Sequence, residues 1–225
     1  MMSILSTRSL DKTQMSKLKD AGIGIETYDA ITIEYLNTEI PEAFSHYIFT
    51  SKNGVRAYLR NRKEYNSHTD NFLCYCVGEK TMSLLEEKGL KVAKMAKNAS
   101  ELANFIVNKS EKGPFLVFTG NRNRPDLGNI FRQNGISFRE IKGYETHLNP
   151  QTFEHEFPCI LFYSPSGIKS FLNANKAGNS MAVCIGETTG KEARKHFKKV
   201  WISHKATTDA VLDKLIEIYP TLART

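Results

Sequence analysis

The sequence contains an internal repeat, and this repeat limits the possible folds more strongly than any other feature. Residues 48–59 resemble residues 161–172, which lie 113 positions later. A second kind of segment begins at Ile4 and resembles one that begins at Val117, again 113 positions later. The two kinds of segment alternate along the chain in the order A, B, A, B, so we expect two similar halves.

Within each part, short β-rich runs alternate with amphipathic helical patterns. Residues 115–120 and 159–163 have the composition of buried strands, whereas residues 82–89 and 191–199 have the periodicity of helices. Such alternation is typical of parallel sheets covered by helices. We therefore predict an α/β fold with two similar domains, each a parallel sheet flanked by helices, joined by a two-stranded linker around a cleft.

The domain boundaries are predicted from the junctions between the parts. Both A-to-B junctions, residues 34–46 and 145–157, are long, polar and contain proline, whereas the B-to-A junction is a short turn. Domain boundaries fall in long polar linkers rather than in tight turns. We therefore predict a continuous domain of residues 37–146 and a discontinuous domain of residues 1–36 with 147–225. Two crossings of the chain between domains would permit hinge motion.

Charge and composition narrow the class of partner. The 225 residues include 31 Lys and Arg against 24 Asp and Glu, a net charge of +7. This charge favours an anionic partner such as nucleic acid, an anionic membrane surface or a small polyanion. No apolar run approaches the roughly 18 residues that span a bilayer, and the N-terminus lacks a signal-peptide pattern. We predict a cytoplasmic protein that is not bound to a membrane.

The spacing of cysteines and histidines argues against a metal site and against disulfides. Cys74 and Cys76 have the wrong spacing for a zinc knuckle, and no histidine pair has ligand spacing. Three of the four cysteines lie in apolar, strand-like runs. We predict that they are small buried core residues and that the protein has no metal site.

The loops after the predicted strands carry the candidate binding residues, because ligands bind beyond the carboxyl ends of strands in an open parallel sheet. Hydroxyls, glycines and basic side chains in these loops suit carboxylates or phosphates at helix N-termini. The candidates are Thr7, Arg8, Thr50, Ser51, Thr81, Gly120, Arg124, Ser164, Ser166, Gly167, Gly186, Thr188 and Thr189. Each hydroxyl alone is equally suited to cap a helix, so the prediction depends on the whole set.

Other chemical groupings are few. Arg122 and Arg124, in one loop rich in Gly and Asn, form either an anion site or a solvated surface pair. Tyr144, at the second A-to-B junction, either packs or presents a phenol that donates a hydrogen bond or a proton. The sequence has no P-loop, no Gly-x-Gly-x-x-Gly, no His-Glu-x-x-His and no Gly-x-Ser-x-Gly. Nucleotide binding therefore has little support, and no residue stands out as a nucleophile.

Taken together, several segments resemble the uroporphyrinogen-III synthase family. They are residues 49–55, 77–81, 120–127, 144–146, 162–167 and 185–189, and the most specific part is Ser-Pro-Ser-Gly followed by Ile-Gly-Glu-Thr-Thr. The resemblance covers nearly the whole chain. It implies a cofactor-free enzyme of haem biosynthesis that cyclises hydroxymethylbilane, a linear tetrapyrrole with eight carboxylates. The implied product is uroporphyrinogen III, formed with inversion of the terminal pyrrole ring and loss of water.

The resemblance also implies roles for individual residues. Tyr144 matches a tyrosine that assists the departure of water, and Arg124 matches the arginine after the Gly-rich loop. The hydroxyl residues named above, from Thr50 to Thr189, match positions that face the ligand. Four residues depart from the usual family pattern, namely Thr119, Arg122, Asn123 and Tyr163. No metal is implied, and we expect a monomer.

Two other functions remain open at this point. A non-catalytic two-domain protein that binds an anionic small molecule would use the same cleft and charge, and substrate turnover would distinguish it. A nucleic-acid-binding module has only the charge in its favour, because the sequence lacks aromatic-basic interleaving and long basic runs. We therefore predict no nucleic-acid partner.

Overall fold

The computed structural model describes residues 3–62, 72–111, 113–123 and 125–222. The chain divides into two compact units, Met1–Thr32 with His147–Thr225 (unit 1) and Ile33–Thr146 (unit 2). Each unit is built around a sheet flanked by helices. The predicted α/β class is confirmed. None of the helices in these described ranges is long and apolar enough to cross a lipid bilayer.

Unit 1 contains a five-stranded sheet in the order β11-β10-β9-β1-β2, and every adjacent pair of strands is parallel. The first part of the chain contributes β1 (Ser3–Ser6), α1 (Lys12–Asp20) and β2 (Gly24–Thr27). The last part contributes β9 (Cys159–Phe162), α6 (Pro165–Ala174), β10 (Met181–Cys184), α7 (Glu187–Ala193), β11 (Lys199–Ile202) and α8 (Thr208–Leu222).

Unit 2 contains a six-stranded sheet in the order β3-β8-β7-β4-β5-β6, parallel from β8 to β6. Its elements are β3 (Ile31–Tyr35), β4 (His46–Phe49), α2 (Lys52–Asn61), β5 (Leu73–Val77), α3 (Glu79–Glu87), β6 (Val92–Ala96), α4 (Ala99–Asn108), β7 (Phe115–Gly120), α5 (Asp126–Gln133) and β8 (Phe138–Leu148). The division between the units falls within β3 and within β8, so each passage between units is made by a strand.

The two sheets have the same topology once the repeat is taken into account. Unit 1 has the order β2-β1-β9-β10-β11, and unit 2 has the equivalent order β8-β7-β4-β5-β6 with β3 added beside β8. In both units, the first strand of an A segment pairs with the first strand of a B segment. The interleaved repeat of the sequence is therefore a repeat of architecture, with one A and one B segment in each sheet.

Both faces of each sheet are covered, which explains why the central strands are continuously apolar. In unit 1, Phe162 and Phe171 belong to the core under α6 and α7, whereas Leu161 and Leu215 belong to the core under α1 and α8. Unit 2 has the same two layers, with α2 and α3 on one face and α4 and α5 on the other. Each unit thus completes a core of its own.

Two local predictions have different outcomes. All four cysteines are free and buried, as predicted. The helix predicted for residues 191–199 was wrong after its third residue, because α7 ends at Ala193. The amide of Phe197 donates to the Ala193 carbonyl at 2.9 Å, and the Phe197 ring packs against Phe162 with the centroids 5.3 Å apart. One helical hydrogen bond is thus made beyond the end of α7, before β11 begins at Lys199.

Candidate functional site

Several candidate site residues lie where the strand order reverses in each sheet, and the others follow β5 and β10. In unit 1 the reversal lies between β1 and β9, and in unit 2 it lies between β7 and β4. Open parallel sheets bind ligands in the crevice outside the carboxyl ends of such strands. Thr7 and Ser164 follow β1 and β9, whereas Gly120 and Ser51 lie at the ends of β7 and β4. The topology therefore places predicted residues beside the reversal point of each sheet.

Tyr144 reaches across the end of β7 in unit 2. Its hydroxyl lies 2.9 Å from the Oγ of Ser51, a residue 93 positions earlier in the chain. Tyr144 is the pairing partner of Gly120, after an irregularity in register between Thr119 and Gly120. A Cβ atom built on Gly120 would lie 2.5 Å from Cε2 of Tyr144, closer than real Cβ contacts allow. The ring can occupy this position only because residue 120 is glycine.

Ser51 also caps helix α2. Its Oγ accepts a hydrogen bond from the amide of Gly54 at 3.3 Å, which satisfies one of the unpaired amides of the first turn. A Cβ on Gly54 would lie 3.1 Å from the carbonyl oxygen of Phe118, so α2 packs closely on β7. Ser51 is therefore fixed by its own helix and holds the Tyr144 hydroxyl from a rigid position.

The loop after β7 is attached to β8 two residues beyond Tyr144. The Asn121 amide nitrogen donates to the Thr146 carbonyl at 3.3 Å, and the Thr146 amide donates to Asn121 Oδ1 at 2.8 Å. The Nε of Arg122 donates to the same carbonyl at 3.2 Å. Arg122 thus contributes to the loop's own structure, while Arg124 lies outside the described residues.

Asn121 was not found by sequence reasoning. Its role depends on the pairing of β7 with β8, which places residues 121 and 146 side by side. No local pattern signals such a contact. The predicted arginine pair lies in the same loop, but it was predicted as an anion site and not for a contact with β8.

The remaining predicted residues of unit 2 have contrasting surroundings. Thr50 is half-buried, directly after β4. Thr81 is buried in the first turn of α3, and its amide donates to the Gly78 carbonyl at 3.0 Å. Gly78 has φ +83°, the left-handed region that favours glycine, and it forms the turn between β5 and α3. The Thr81 side chain is therefore closed off from solvent.

Thr7 joins the two central strands of unit 1. It is buried, and its Oγ1 donates to the Leu161 carbonyl in β9 at 2.7 Å. Ser164 caps α6 by accepting from the amide of Gly167 at 3.1 Å, and Ser166 is half-buried in the first turn of that helix. Arg8, the residue after Thr7, is exposed. Of these residues, Arg8 offers the most accessible polar group.

The loop after β10 offers fewer accessible groups. Gly186 has extended backbone and precedes α7, Thr188 is exposed, and Thr189 is buried. A Cβ on the next residue, Gly190, would lie 2.7 Å from Cδ1 of Ile202, so α7 packs tightly against β11. Thr188 is therefore the hydroxyl that this loop presents to solvent.

Helix N-termini at the reversal points have a favourable electrostatic character for anions. Of the four helices that follow the strands at the reversal points, α2 and α6 have no acidic residue at the N-cap or in the first turn, whereas α1 is capped by Asp11 and α5 carries Asp126. Helices α3 and α7 also carry an acidic residue in the first turn, namely Glu79 and Glu187. A helix N-terminus has a partial positive charge and unpaired amides, which attract carboxylates. Helices α2 and α6 therefore keep this charge uncompensated by acidic side chains of their own N-termini.

Unit 1 contains a phenol that was not among the candidate site residues. Tyr163 follows β9 directly, and its hydroxyl lies 3.3 Å from the Oγ of Ser6 at the end of β1. Burial raises the pKa of Tyr163 to about 12, and Asp209 also raises it, whereas Ser6 and Arg8 act in the opposite direction. The phenol is therefore protonated at neutral pH.

Comparisons with known sequences agree on one family. Residues 15–213 match the family model described as "Uroporphyrinogen-III synthase HemD". The curated "Porphyrin biosynthesis protein HemD" of Ruminiclostridium josui is 26% identical to this chain over an alignment 242 residues long. The alignment covers 96% of this chain and 48% of that protein. The chain therefore spans about half the length of this curated relative.

Solved structures share the fold. The crystal structure of uroporphyrinogen-III synthetase from Helicobacter pylori matches with a TM-score of 0.72 at 22% identity, covering 97% of this chain and 100% of that one. A mutant uroporphyrinogen III synthase from Thermus thermophilus matches with a TM-score of 0.68 at 13% identity, covering 100% of both chains. At these identities the likeness establishes the fold.

Proposed function

Because the chain belongs to the uroporphyrinogen-III synthase family, we propose that it converts hydroxymethylbilane to uroporphyrinogen III. The reaction closes the macrocycle, releases water and inverts the terminal pyrrole ring. The observation that carries the proposal is the Tyr144 hydroxyl, held 2.9 Å from Ser51 over Gly120, at the reversal point of the unit 2 sheet. This position supports a role for Tyr144 as a proton donor, because this type of sheet binds ligands at that edge.

The substrate is proposed to bind through its carboxylates. The amides at the N-termini of α2 and α6 and the exposed groups of Arg8 and Thr188 are suitable donors. A net charge of +7 favours the approach of an anion. One charge pair at 4 Å gains about 4 kcal/mol at an effective dielectric constant of 20, before the cost of desolvation. Arg124 remains a proposed carboxylate ligand.

The chemical step assigned to Tyr144 is the departure of the substrate hydroxyl. The phenol donates its proton to that hydroxyl, which leaves as water and generates an electrophilic azafulvene. The terminal ring then attacks through its substituted carbon to form a spiro intermediate, which fragments and closes again. The re-closed ring loses a proton as it regains aromaticity, and this proton restores the phenol. The sum is loss of one water, with no net change in the enzyme.

The protein's main task in this proposal is to select a geometry. Without a catalyst the same substrate closes directly to the type I isomer, so the enzyme must favour attack through the substituted carbon. Holding the reacting groups in one arrangement is an effective way to lower such a barrier. Tyr144, supported by Ser51 and Gly120, supplies one fixed point in that arrangement. The mechanism proposed needs no cofactor.

The working unit is proposed to be a single chain, because each unit completes its own core from its own helices. The cytoplasmic location and the absence of nucleic-acid and membrane partners stay predictions from the sequence. The alternative of a non-catalytic binding protein for an anionic small molecule would use the same donors without turnover.

The deciding experiment is incubation with freshly prepared hydroxymethylbilane, followed by oxidation and chromatographic separation of type I and type III uroporphyrin. We expect mainly the type III isomer, in an amount that depends on the protein. Type I product alone, at the rate seen without protein, would reject the synthase proposal and favour the binding protein.

A further inference from the structure

Tyr163 lies in unit 1 beside the reversal of strand order, at the carboxyl edge of the sheet. It is the first residue after β9, and Ser6, the last residue of β1, lies across the reversal point of the sheet. Its ring packs against the apolar core under α1 and α8, while the residue as a whole stays half-buried. The ring is therefore anchored, and the hydroxyl lies at the edge where an open parallel sheet binds ligands.

The hydrogen bonds around Ser6 leave the hydroxyl proton of Tyr163 available to donate to a ligand. The Ser6 hydroxyl has one proton and two possible acceptors, the Arg8 carbonyl at 2.6 Å and the Tyr163 hydroxyl at 3.3 Å. Ser6 is the donor in both contacts, so its proton is shared in a three-centre bond in which the contact with the Arg8 carbonyl is the stronger. In the contact with Ser6, Tyr163 is the acceptor, and within the described part of the chain its own proton has no acceptor.

The charges near this hydroxyl favour an anion on one side. Arg8 is close enough to Tyr163 to influence its ionisation, and its exposed guanidinium attracts a carboxylate. Asp209 is the opposing charge on α8, and its Oδ1 accepts a hydrogen bond from the side-chain amide of Gln14 at 2.9 Å. Asp209 keeps its negative charge, but it affects the pKa of Tyr163 less than Arg8 does, so Arg8 is the stronger of the two charges at this hydroxyl.

We propose that Tyr163 is a substrate-binding residue, whose hydroxyl donates a hydrogen bond to a carboxylate of the tetrapyrrole beside Arg8. This inference rests on the proposed function and names a contact in unit 1, whereas the proposed proton donor Tyr144 lies in unit 2. A bond to an ionised acceptor is shorter and stronger than one between neutral groups. Tyr163 contributes to affinity and not to the chemical step.

The test is Tyr163→Phe, which removes the hydroxyl and keeps the ring in its core. We expect the KM for hydroxymethylbilane to rise about five- to tenfold, just below the usual range for a hydrogen bond to a charged group because the site is partly exposed. The kcat and the fraction of type III product should stay within about twofold of wild type. The Kd of uroporphyrin III, a stable octacarboxylate, should rise by the same factor as the KM.

The matched control is Tyr219→Phe, because Tyr219 packs against the same core from α8. Its KM and Kd should equal those of wild type. If Tyr163→Phe changes only the unfolding temperature and leaves KM and Kd unchanged, the residue is structural and the inference is wrong. If wild type makes only type I product, the synthase proposal fails, and the Kd of uroporphyrin III still decides whether Tyr163 contacts an anionic tetrapyrrole.

Discussion

The hydroxyl of Tyr144 lies 2.9 Å from the Oγ of Ser51, and the Tyr144 ring occupies the space that a side chain on residue 120 would need. Strand β8 supplies the tyrosine, β7 ends in the glycine, and the serine begins α2 after β4. Three neighbouring strands therefore fix one hydroxyl group. Because each support is a separate residue, each can be altered without removing the phenol.

Removing the Tyr144 hydroxyl should slow turnover. For Tyr144→Phe we expect kcat to fall about 10- to 100-fold, near the lower end for loss of a positioned acid, since the remaining binding groups still guide closure. The thermal midpoint should change little. The control is Tyr35→Phe in the same unit, where the hydroxyl donates to Asn53 over a long distance of 3.4 Å. Full activity in Tyr144→Phe would remove this residue from the mechanism.

Filling the space at Gly120 should displace the Tyr144 ring. For Gly120→Ala we expect a loss of kcat similar to that of Tyr144→Phe, because the added methyl would collide with the ring. Adding Gly120→Ala to Tyr144→Phe should then cost little further activity, as expected for residues that act through one group. Additive losses in this double-mutant cycle would show that Gly120 acts independently of Tyr144. Gly186→Ala, where nothing lies within 4 Å, provides the control for folding stability.

Releasing the loop after β7 should loosen the backbone next to Tyr144. Asn121→Ala removes both side-chain hydrogen bonds to Thr146, so we expect kcat to fall about three- to tenfold with a smaller change in KM. Steady-state kinetics on purified protein measures both constants. The matched control is Asn104→Ala on the exposed face of α4. A rise in KM alone would instead place Asn121 in contact with the substrate.

Removing a buried hydroxyl should stabilise unit 1. The Tyr28 hydroxyl is buried without a hydrogen-bond partner among the described residues, and burial raises the pKa of Tyr28 to about 12. For Tyr28→Phe we expect about 1 kcal/mol of added stability at neutral pH, which corresponds to roughly 2–4 °C in the thermal midpoint of a chain this long.

The same pKa predicts how this gain depends on pH. The unfolded phenol ionises near pH 10 while the folded one stays protonated to about pH 12, so wild type loses stability as the pH rises through this window. Tyr28→Phe lacks this contribution, so its advantage over wild type should be larger at about pH 11 than at pH 7. Thermal melts at the two pH values measure the difference. An equal advantage at both would indicate that the hydroxyl is solvated in the folded state.

The sequence carried enough information to predict the architecture because strand and helix patterns are local. Apolar runs such as residues 159–162 must be buried on both faces, and they repeat at intervals that require two equivalent sheets. The same logic located the binding loops, because any residue that follows a parallel strand lies at the carboxyl edge. It failed at α7, which ends at Ala193 although the helical pattern continues to Phe197, buried like Ala193.

By itself, then, the sequence determined the fold class, the interleaved repeat, the burial of the cysteines and the loops that could hold a ligand. Only the tertiary structure decided which side chains meet, because such contacts depend on strand order and register. Ser51 meets Tyr144 across 93 residues, and Ser6 meets Tyr163 across 157. A shift in register between β7 and β8 sets the first of these contacts, and no periodicity in the chain encodes that shift.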